Sequence, residues 1–416
     1  MPIWFCVLWL VLLVGLIGIL AVGGQADPRN GAQILDGTWR FHPGDVAGGA
    51  DPATDDRGWD RIGLVSNPAI NDGDVGIPGY LNGWRSRGHP DLEGYGWYRR
   101  EVVLPQQGDL VLVGPPAVDD GYELFWNGRP VGGMGRLSGS PQVNSTRPIL
   151  VKLPAAHGER TALLAIRAFM QPGLDRDGLS GGLRTVPVLA SSADGEALYQ
   201  AQWRRTIAGY IVDAAEPLAM LILAIFAALA APMLPRPGFA RWLVLALVAA
   251  AGVRLGNAIN AWTDLLSLPT PLWLNGVILA PAAKLGWVMA WNQWTDDRGR
   301  RLIARAAAVA WAMAIAGEFA RSDLLAGTAR GVFALCLVAI AIRIVRRGDH
   351  QWLVLAAMAL TSIGLFAGDL SAWGIQSIWF PFNIGVSRSQ YAYGALLPLL
   401  AFALVAVKRD LRDAGR

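Results

Sequence analysis

The pattern of hydrophobic positions divides the chain into two parts. From residue 27 to residue 201 apolar residues come in short runs separated by glycine, proline and aspartate, whereas from residue 207 onward they come in runs of about 20. Short runs between turn signals are typical of β-strands, and about 20 apolar residues in helical form cross a bilayer. The pattern therefore predicts an all-β part followed by a membrane-spanning all-α part.

Seven apolar runs lie in the second part, and each predicts a membrane-spanning helix. They are residues 207–234, 239–259, 272–292, 302–320, 324–345, 351–373 and 391–407. Arginine and lysine concentrate in alternate connectors, which is the distribution that the positive-inside rule describes. This alternation predicts that the β part lies outside the cytoplasm and that the C-terminus lies in the cytoplasm.

One more apolar run, at residues 3–22, opens the chain, and Gly24 and Ala26 come after it, before Asp27. Small residues at this spacing after an apolar run indicate a signal peptide, and an uncleaved signal anchor is the alternative. Either interpretation predicts export of the β part. The predicted organisation is a signal segment (1–26), a periplasmic β domain (27–201), a seven-helix transmembrane bundle (202–407) and a short cytoplasmic tail (408–416).

Composition supports a membrane protein and narrows the chemistry. The chain is 53% hydrophobic and 16% charged, against about 25% charged residues in soluble proteins. The formal net charge of +4 is accounted for by the inner connectors, so no nucleic-acid partner is predicted. Cys6 and Cys336 lie in apolar runs and the four histidines are far apart, which predicts no metal site and no cofactor. Neither a phosphate loop nor a serine nucleophile motif occurs, so we expect no catalytic constellation and no enzymatic function.

Five motifs of the β part come in a recognisable order. They are LDGTWRF at 35–41, DRGW at 56–59, GYGWYRR at 94–100, DDGYELFWNG at 119–128 and LAIR at 164–167. Together they resemble the sugar-binding-like domain of glycoside hydrolase family 2, over most of residues 33–190. The resemblance implies a galactose-binding-like jelly-roll sandwich. It does not imply catalysis, because those hydrolases carry their catalytic carboxylates on a separate barrel domain.

Aromatic residues at strand positions, Trp39, Trp59 and Tyr98, are expected in the core of the sandwich. Loops are the better place for a ligand site. The glycine-rich stretch 79–96 combines a tryptophan with charged residues, and the glycine-rich stretch 171–183 adds further charged residues. An exposed tryptophan beside arginines and carboxylates could stack on a sugar ring and bind its hydroxyls. The predicted ligand-binding residues are Trp84, Arg85, Arg87, His89, Asp91, Glu93, Asp175 and Arg176. A solvated loop, or one that rests on the membrane part, remains the alternative.

Polar residues inside the apolar runs form the second set of candidates. They are Asp213, Glu216, Arg254, Asn257, Lys284 and Asp369. A charge at membrane depth is costly unless it is paired, and Asp213 and Glu216 share a helix face at a depth that Arg254 can match. We therefore expect one of these carboxylates to pair with Arg254 and to couple the β domain to the bundle. A static structural pair and a transport path are the alternatives.

An exported sandwich ahead of seven spans resembles bacterial seven-transmembrane receptors with diverse intracellular signalling modules. The resemblance implies an inner-membrane sensory receptor that detects a small-molecule or carbohydrate ligand outside. Such receptors continue into an output domain, and residues 408–416 are too short for one, which predicts a cytoplasmic signalling partner or a missing C-terminal output domain. Membrane lipid and a second copy of the chain, as a homodimer, are the other expected partners. A membrane-anchored accessory subunit of an envelope carbohydrate enzyme and a small-molecule transporter are the alternative functions.

Overall fold

The structure is a computed structural model of the 416-residue chain. It describes residues 32–70, 77–105, 109–154, 160–173, 178–234, 236–267, 269–294, 297–346, 352–367, 378–380, 384–386 and 392–400. The predicted signal segment and the predicted cytoplasmic tail lie outside these residues. The chain divides into two compact units: Met1–Tyr210 with Asn260–Pro269 and Phe380–Gly385, and Ile211–Ile259 with Thr270–Trp379 and Val386–Arg416.

The described part of the first unit is built mainly of antiparallel strands. They are β1 (Gln33–Ile34), β2 (Gly37–Pro43), β3 (Asp60–Leu64), β4 (Gly94–Val103), β5 (Leu110–Val113), β6 (Val118–Asp119), β7 (Gly121–Trp126), β8 (Arg129–Met134), β9 (Leu150–Lys152), β10 (Thr161–Met170), β11 (Gly182–Leu183) and β12 (Val188–Ser191). One sheet has the order β3-β2-β4-β10-β7-β8, a second has the order β1-β12-β5-β9, and β11 pairs with β6. The prediction of an N-terminal β part is confirmed.

A large hydrophobic cluster in the described part of the first unit contains residues of both larger sheets. Period-two alternation produces it: in β4 the side chain of Tyr98 is buried in this core, whereas its neighbour Arg99 leaves the opposite face. Trp39 and Tyr98 are 0% and 1% exposed, so the prediction that they are core residues is confirmed. Trp59 is half-buried, and its ring lies 5.4 Å from the guanidinium of Arg99.

The turn between β7 and β8 shows why these residues form a hairpin. Asn127 and Gly128 both have positive φ, at 47° and 80°, as the two central residues of the favoured hairpin turn require. The side-chain oxygen of Asn127 also accepts a hydrogen bond of 2.7 Å from the backbone of Leu163 in the neighbouring strand β10. An asparagine–glycine pair between two β-type runs predicts such a hairpin turn, and the structure confirms it.

Helices dominate from residue 192 onward. They are α1 (Ser192–Gly209), α2 (Ile211–Ala230), α3 (Pro237–Trp262), α4 (Pro269–Trp273), α5 (Ala280–Trp291), α6 (Asp297–Ala320), α7 (Asp323–Arg346) and α8 (Trp352–Leu365), with a π-helical segment at Leu274–Leu279. Ser191 caps α1, because its hydroxyl accepts a hydrogen bond of 3.2 Å from the backbone of Asp194. Residues 202–205, which precede the first apolar run and suggest only a short connector, therefore lie inside a helix that starts ten residues earlier.

Five helical stretches are long and apolar enough to cross a membrane. They are Ser192–Met233, Pro237–Trp262, Leu274–Trp291, Arg298–Ala320 and Asp323–Arg346, and they coincide with the first five predicted spans. The sixth predicted span contains the shorter apolar helix Trp352–Leu365. Of the seventh, residues 392–400 are described and are helical. The chain is thus a β-sheet region followed by a helical region with several apolar helices.

Candidate functional site

Trp84, the centre of the predicted sugar site, belongs to the core instead. Its side chain is 0% exposed, and its indole N–H donates a hydrogen bond of 3.1 Å to the carbonyl of Leu92. The ring stacks on Tyr98 at 6.4 Å and packs against Phe41 at 5.8 Å. The prediction of an exposed tryptophan is therefore wrong, because the surrounding residues bury the indole face that a sugar would need.

The charged residues after Trp84 brace their own loop. Arg85 and Glu93 form an ion pair at 2.9 Å, and Arg87 donates to two backbone carbonyls. His89 packs on a core aromatic ring at 4.8 Å, and Asp91 is exposed. Six of the eight predicted ligand-binding residues thus lie on one described loop, and the contacts of Arg85, Arg87, His89 and Glu93 hold that loop in place.

Three predicted site residues, Asp175, Arg176 and Asp369, lie outside the described residues. Lys284 is half-buried in α5. The remaining intramembrane candidates are all described, and they come together in the second unit.

The predicted pairing between α2 and α3 is present in the structure. Arg254 contacts both carboxylates, with Nη1 3.3 Å from Asp213 Oδ1 and Nε 3.4 Å from Glu216 Oε2. Asn257, one turn further along α3, donates to the same oxygen of Asp213 at 3.5 Å. Pro217 comes directly after Glu216 within α2. We call these four polar residues, Asp213, Glu216, Arg254 and Asn257, the charge cluster.

Burial makes the charge cluster energetically important. Asp213 and Glu216 are 6% and 8% exposed, and the guanidinium of Arg254 contacts both carboxylates. Removing such groups from water costs several kcal/mol each unless partners replace the lost hydration. Loss of Arg254 would therefore remove the guanidinium that the two buried carboxylates share.

The segment Asn260–Pro269, which begins at the end of α3, belongs to the first unit. Its Asp264 carboxylate forms an ion pair with the buried Arg147 and accepts a hydrogen bond of 3.0 Å from Asn144. Trp262, at the end of α3, donates a hydrogen bond of 3.4 Å to the carbonyl of Thr206 in α1. The sheets thus hold the residues that directly continue the helix carrying Arg254.

A cavity of about 230 Å³, here called the junction cavity, lies beside this segment within the first unit. Its polar lining includes Tyr80, Asp119, Asp120, Asn144, Thr146, Arg184, Thr206 and Tyr210, and Ala261 completes it. Asp119 accepts hydrogen bonds from Arg184 at 2.8 Å and from the backbone of Gly181 at 2.7 Å. Residues of α1 and of the segment Asn260–Pro269 therefore line the same cavity as the sheet loops.

The Arg147–Asp264 pair predicts a specific dependence of stability on pH. The hydrogen bond from Arg147 holds the pKa of Asp264 below its usual value, and Asn144 acts in the same direction. A lowered folded-state pKa stabilises the fold above the unfolded pKa of about 3.9, and this stabilisation is lost as the pH falls through the folded pKa. Because Asp264 is 59% exposed, we expect about 0.5–1 kcal/mol. Chemical unfolding of the wild type and of Asp264→Asn should differ by this amount at pH 7 and converge below about pH 3.9; a constant difference would contradict the assignment.

Comparison with known proteins gives partial likeness only. No family model matches the chain, and no curated protein matches it. Similar solved structures include a β-glucuronidase from Bacteroides uniformis (21% identity, TM-score 0.28), a glycosyl hydrolase family 2 member from Bacteroides cellulosilyticus (22%, 0.27) and a β-glucuronidase from Faecalibacterium prausnitzii (18%, 0.27). Each match covers 38% of this chain and, respectively, 17%, 20% and 31% of the hydrolase. The chain therefore spans less than a third of the length of these enzymes.

These neighbours correct one conclusion from the sequence. The sequence predicts no enzymatic function for the chain. This prediction does not stand, because the solved structures to which the chain is similar are glycoside hydrolases. At this identity and these TM-scores the likeness assigns no activity to the chain.

Sequence reasoning missed the residues that connect the sheets to the segment after α3. Arg147 and Asp264 are 117 positions apart, and each looks like an ordinary loop residue. One signal was present: Asp264 is a lone carboxylate in the connector between the second and third apolar runs. A single charge there is a candidate for an ion pair with an arginine of the β part.

Proposed function

We propose that this chain is a sensory receptor of a bacterial inner membrane. Its periplasmic sheets, as a jelly-roll sandwich, would detect an extracytoplasmic, carbohydrate-related ligand. A seven-helix bundle would carry the signal to a cytoplasmic output. The observation that carries the proposal is the path of the chain, which runs from the sheets through the Asp264 ion pair to the charge cluster.

This path ties the sheets to the helices that carry the charge cluster. The chain leaves the first unit at Tyr210 and continues directly into α2, which carries Asp213. It returns at Asn260, six residues after Arg254 and four before Asp264. In this proposal, a displacement of the sheet loops that hold Asp264 would reach Arg254 through a few residues of backbone.

Two arrangements of the charge cluster would supply the bistable element that a receptor needs. A ligand shifts a conformational equilibrium only by its difference in affinity for the two states. Arg254 has two carboxylate partners on one helix face, and a small rotation of α3 would favour one of them over the other. A ligand that alters the sheet loops around Asp264 would then change which carboxylate Arg254 contacts.

The test uses the full chain in lipid nanodiscs with a panel of bacterial envelope glycans. Hydrogen–deuterium exchange is measured for peptides from the sheets and from residues 211–262, with and without each glycan. A receptor predicts a glycan that changes exchange in both regions. A glycan that alters only the sheets would support the accessory subunit instead, and uptake of the glycan into sealed proteoliposomes would support the transporter.

Asp264→Asn tests the path itself. We expect the variant to bind the active glycan with unchanged affinity, because Asp264 lies in no strand and its ion pair contributes only about 0.5–1 kcal/mol. The exchange response of residues 211–262 should fall at least about threefold, because the Arg147–Asp264 ion pair no longer connects the segment Asn260–Pro269 to the sheet loops. Asp109→Asn, an exposed carboxylate of the same unit, is the matched control and should respond like the wild type. An undiminished response in Asp264→Asn would rule out this path.

A further inference from the structure

Three arginines stand side by side on three neighbouring strands. In the register of the six-stranded sheet, Arg40 of β2 is paired with Arg61 of β3 on one side and with Arg99 of β4 on the other. Residues paired in this way point to the same face, so three guanidiniums leave the sheet together. Like charges directly opposite one another destabilise a sheet unless other groups offset them.

The charge of Arg99 is offset within the protein. Its side chain is 2% exposed and forms an ion pair with Asp56 at 3.1 Å. It also donates to the carbonyls of Gly49 and Asp51, at 3.1 and 3.0 Å, and lies over the ring of Trp59. Arg99 is therefore a structural residue that fastens the segment before β3 to the sheet.

The charges of Arg40 and Arg61 are not offset in this way. Within the part of the chain that the structure describes, neither side chain makes an ion pair or a hydrogen bond. Both line a cavity of about 650 Å³ beside Arg99, here called the arginine cavity. This volume is within the usual range of sites for small molecules, about 300–1,000 Å³.

We propose that the arginine cavity binds a saccharide that carries an oxyanion group, with Arg40 and Arg61 as its ligands. A guanidinium offers a planar pair of N–H donors that matches a carboxylate, sulfate or phosphate. An anion between Arg40 and Arg61 removes the repulsion that their pairing creates. The inference rests on the proposed function in one respect, because both require the sheets to bind an extracytoplasmic ligand.

The rest of the lining suits a polyhydroxylated molecule rather than a bare inorganic ion. Thr38, Glu101 and Thr161, all exposed, place two hydroxyls and a carboxylate around the same cavity. These groups donate to and accept from sugar hydroxyls, and an isolated sulfate or phosphate would fill only a small part of the volume. The arginines would hold the anionic group and the threonines and Glu101 the ring.

The arginine cavity and the junction cavity lie at opposite ends of strand β10. Thr161 begins this strand and lines the arginine cavity, whereas the carbonyl of Phe169, near its end, accepts a hydrogen bond of 2.7 Å from Asp120 of the junction cavity. Eight residues of extended strand span about 27 Å. The anion site is therefore separate from the segment that holds Asp264, and a ligand there would act on that segment through β10.

Calorimetric titration of the full chain in nanodiscs tests the inference at low ionic strength. The panel contains uronate, sulfated and phosphorylated oligosaccharides, their neutral parents, and inorganic sulfate and phosphate. We expect at least one anionic oligosaccharide to bind about tenfold more tightly than its neutral parent and more tightly than either inorganic ion. Arg40→Gln and Arg61→Gln should each weaken binding about tenfold, whereas Arg136→Gln, an exposed arginine elsewhere in the unit, should not.

Three results would overturn the inference: no binding by any anionic oligosaccharide, equal binding by a neutral parent, or unchanged affinity in both cavity variants. Tighter binding of inorganic phosphate or sulfate than of every saccharide would reject the saccharide assignment. Circular dichroism of the variants confirms that the sheets are intact. Binding that leaves hydrogen exchange in residues 211–262 unchanged would support the anion site and contradict the receptor. A glycan that still changes this exchange in both Arg40→Gln and Arg61→Gln would support the receptor and contradict the anion site.

Discussion

Replacing Arg254 with methionine is expected to destabilise the second unit by about 3–5 kcal/mol, because it removes the guanidinium that the buried carboxylates of Asp213 and Glu216 share. Methionine fills much of the space of the arginine stem, so the loss reports on the charge more than on packing. The free energy of unfolding is measured by steric trapping in bicelles. Arg305→Met, at an exposed arginine of α6, is the matched control and should change stability by less than about 0.5 kcal/mol.

A mutant cycle identifies the pairing as the cause. Asp213→Asn and Glu216→Gln should each cost less than Arg254→Met, because each leaves one carboxylate with the guanidinium. The triple variant combines Asp213→Asn, Glu216→Gln and Arg254→Met. It should recover most of the stability, because replacing a buried ion pair by uncharged side chains often changes the free energy of unfolding little. Strictly additive free energies would show that the three side chains do not interact, despite the distances between them.

The triple variant also separates a static pair from a coupling element. If the charge cluster only fixes how α2 packs on α3, the rescued protein should keep the full exchange response of residues 211–262 to an active glycan. If a shift of Arg254 between two carboxylates carries the signal, the response should be lost although the fold is restored. The predicted pairing is thus established by geometry, and its role is decided by this experiment.

The charge cluster was predictable because the membrane removes most alternatives. A bilayer admits few charged residues, topology assigns each one a depth, and opposite charges at equal depth on consecutive helices have little choice of partner. The same logic located the first five apolar helices, since length and hydropathy suffice. It did not predict α1, which begins at Ser192, because a polar helix that precedes an apolar one has no hydrophobic signal of its own.

The sheets offered no such constraint, so the sequence did not indicate which of their side chains meet. Register decides which side chains meet, and Arg61, Arg40 and Arg99 come together only because β2 lies between β3 and β4. Their spacing along the chain, 21 and 59 positions from Arg40, carries no hint of this. A one-residue shift of register would send a whole strand's side chains to the other face, which is why composition alone could not identify the arginine cavity.

Trp84 failed as a prediction for a related reason. In sequence it stands among glycines and charges, as an exposed loop residue would. The glycines that bury it, Gly181 and Gly182, come almost 100 positions later. Both have positive φ, and an added Cβ at either would lie 2.2 to 2.5 Å from the indole. The close approach of this distant backbone is what turns a loop tryptophan into a core residue.

Trp84→Ala is accordingly expected to destabilise the first unit by about 3–5 kcal/mol, the usual cost of truncating a fully buried tryptophan. Hydrogen exchange of β4, measured in nanodiscs without ligand, should accelerate at least about 100-fold. Val65→Ala, at a side chain 66% exposed, should stay within about 0.5 kcal/mol of the wild type. A stable Trp84→Ala protein that has lost only glycan affinity would restore the tryptophan as a binding platform. The expected result instead assigns ligand recognition to other residues of the unit and leaves Trp84 as the residue on which the strands and the 84–93 loop are packed.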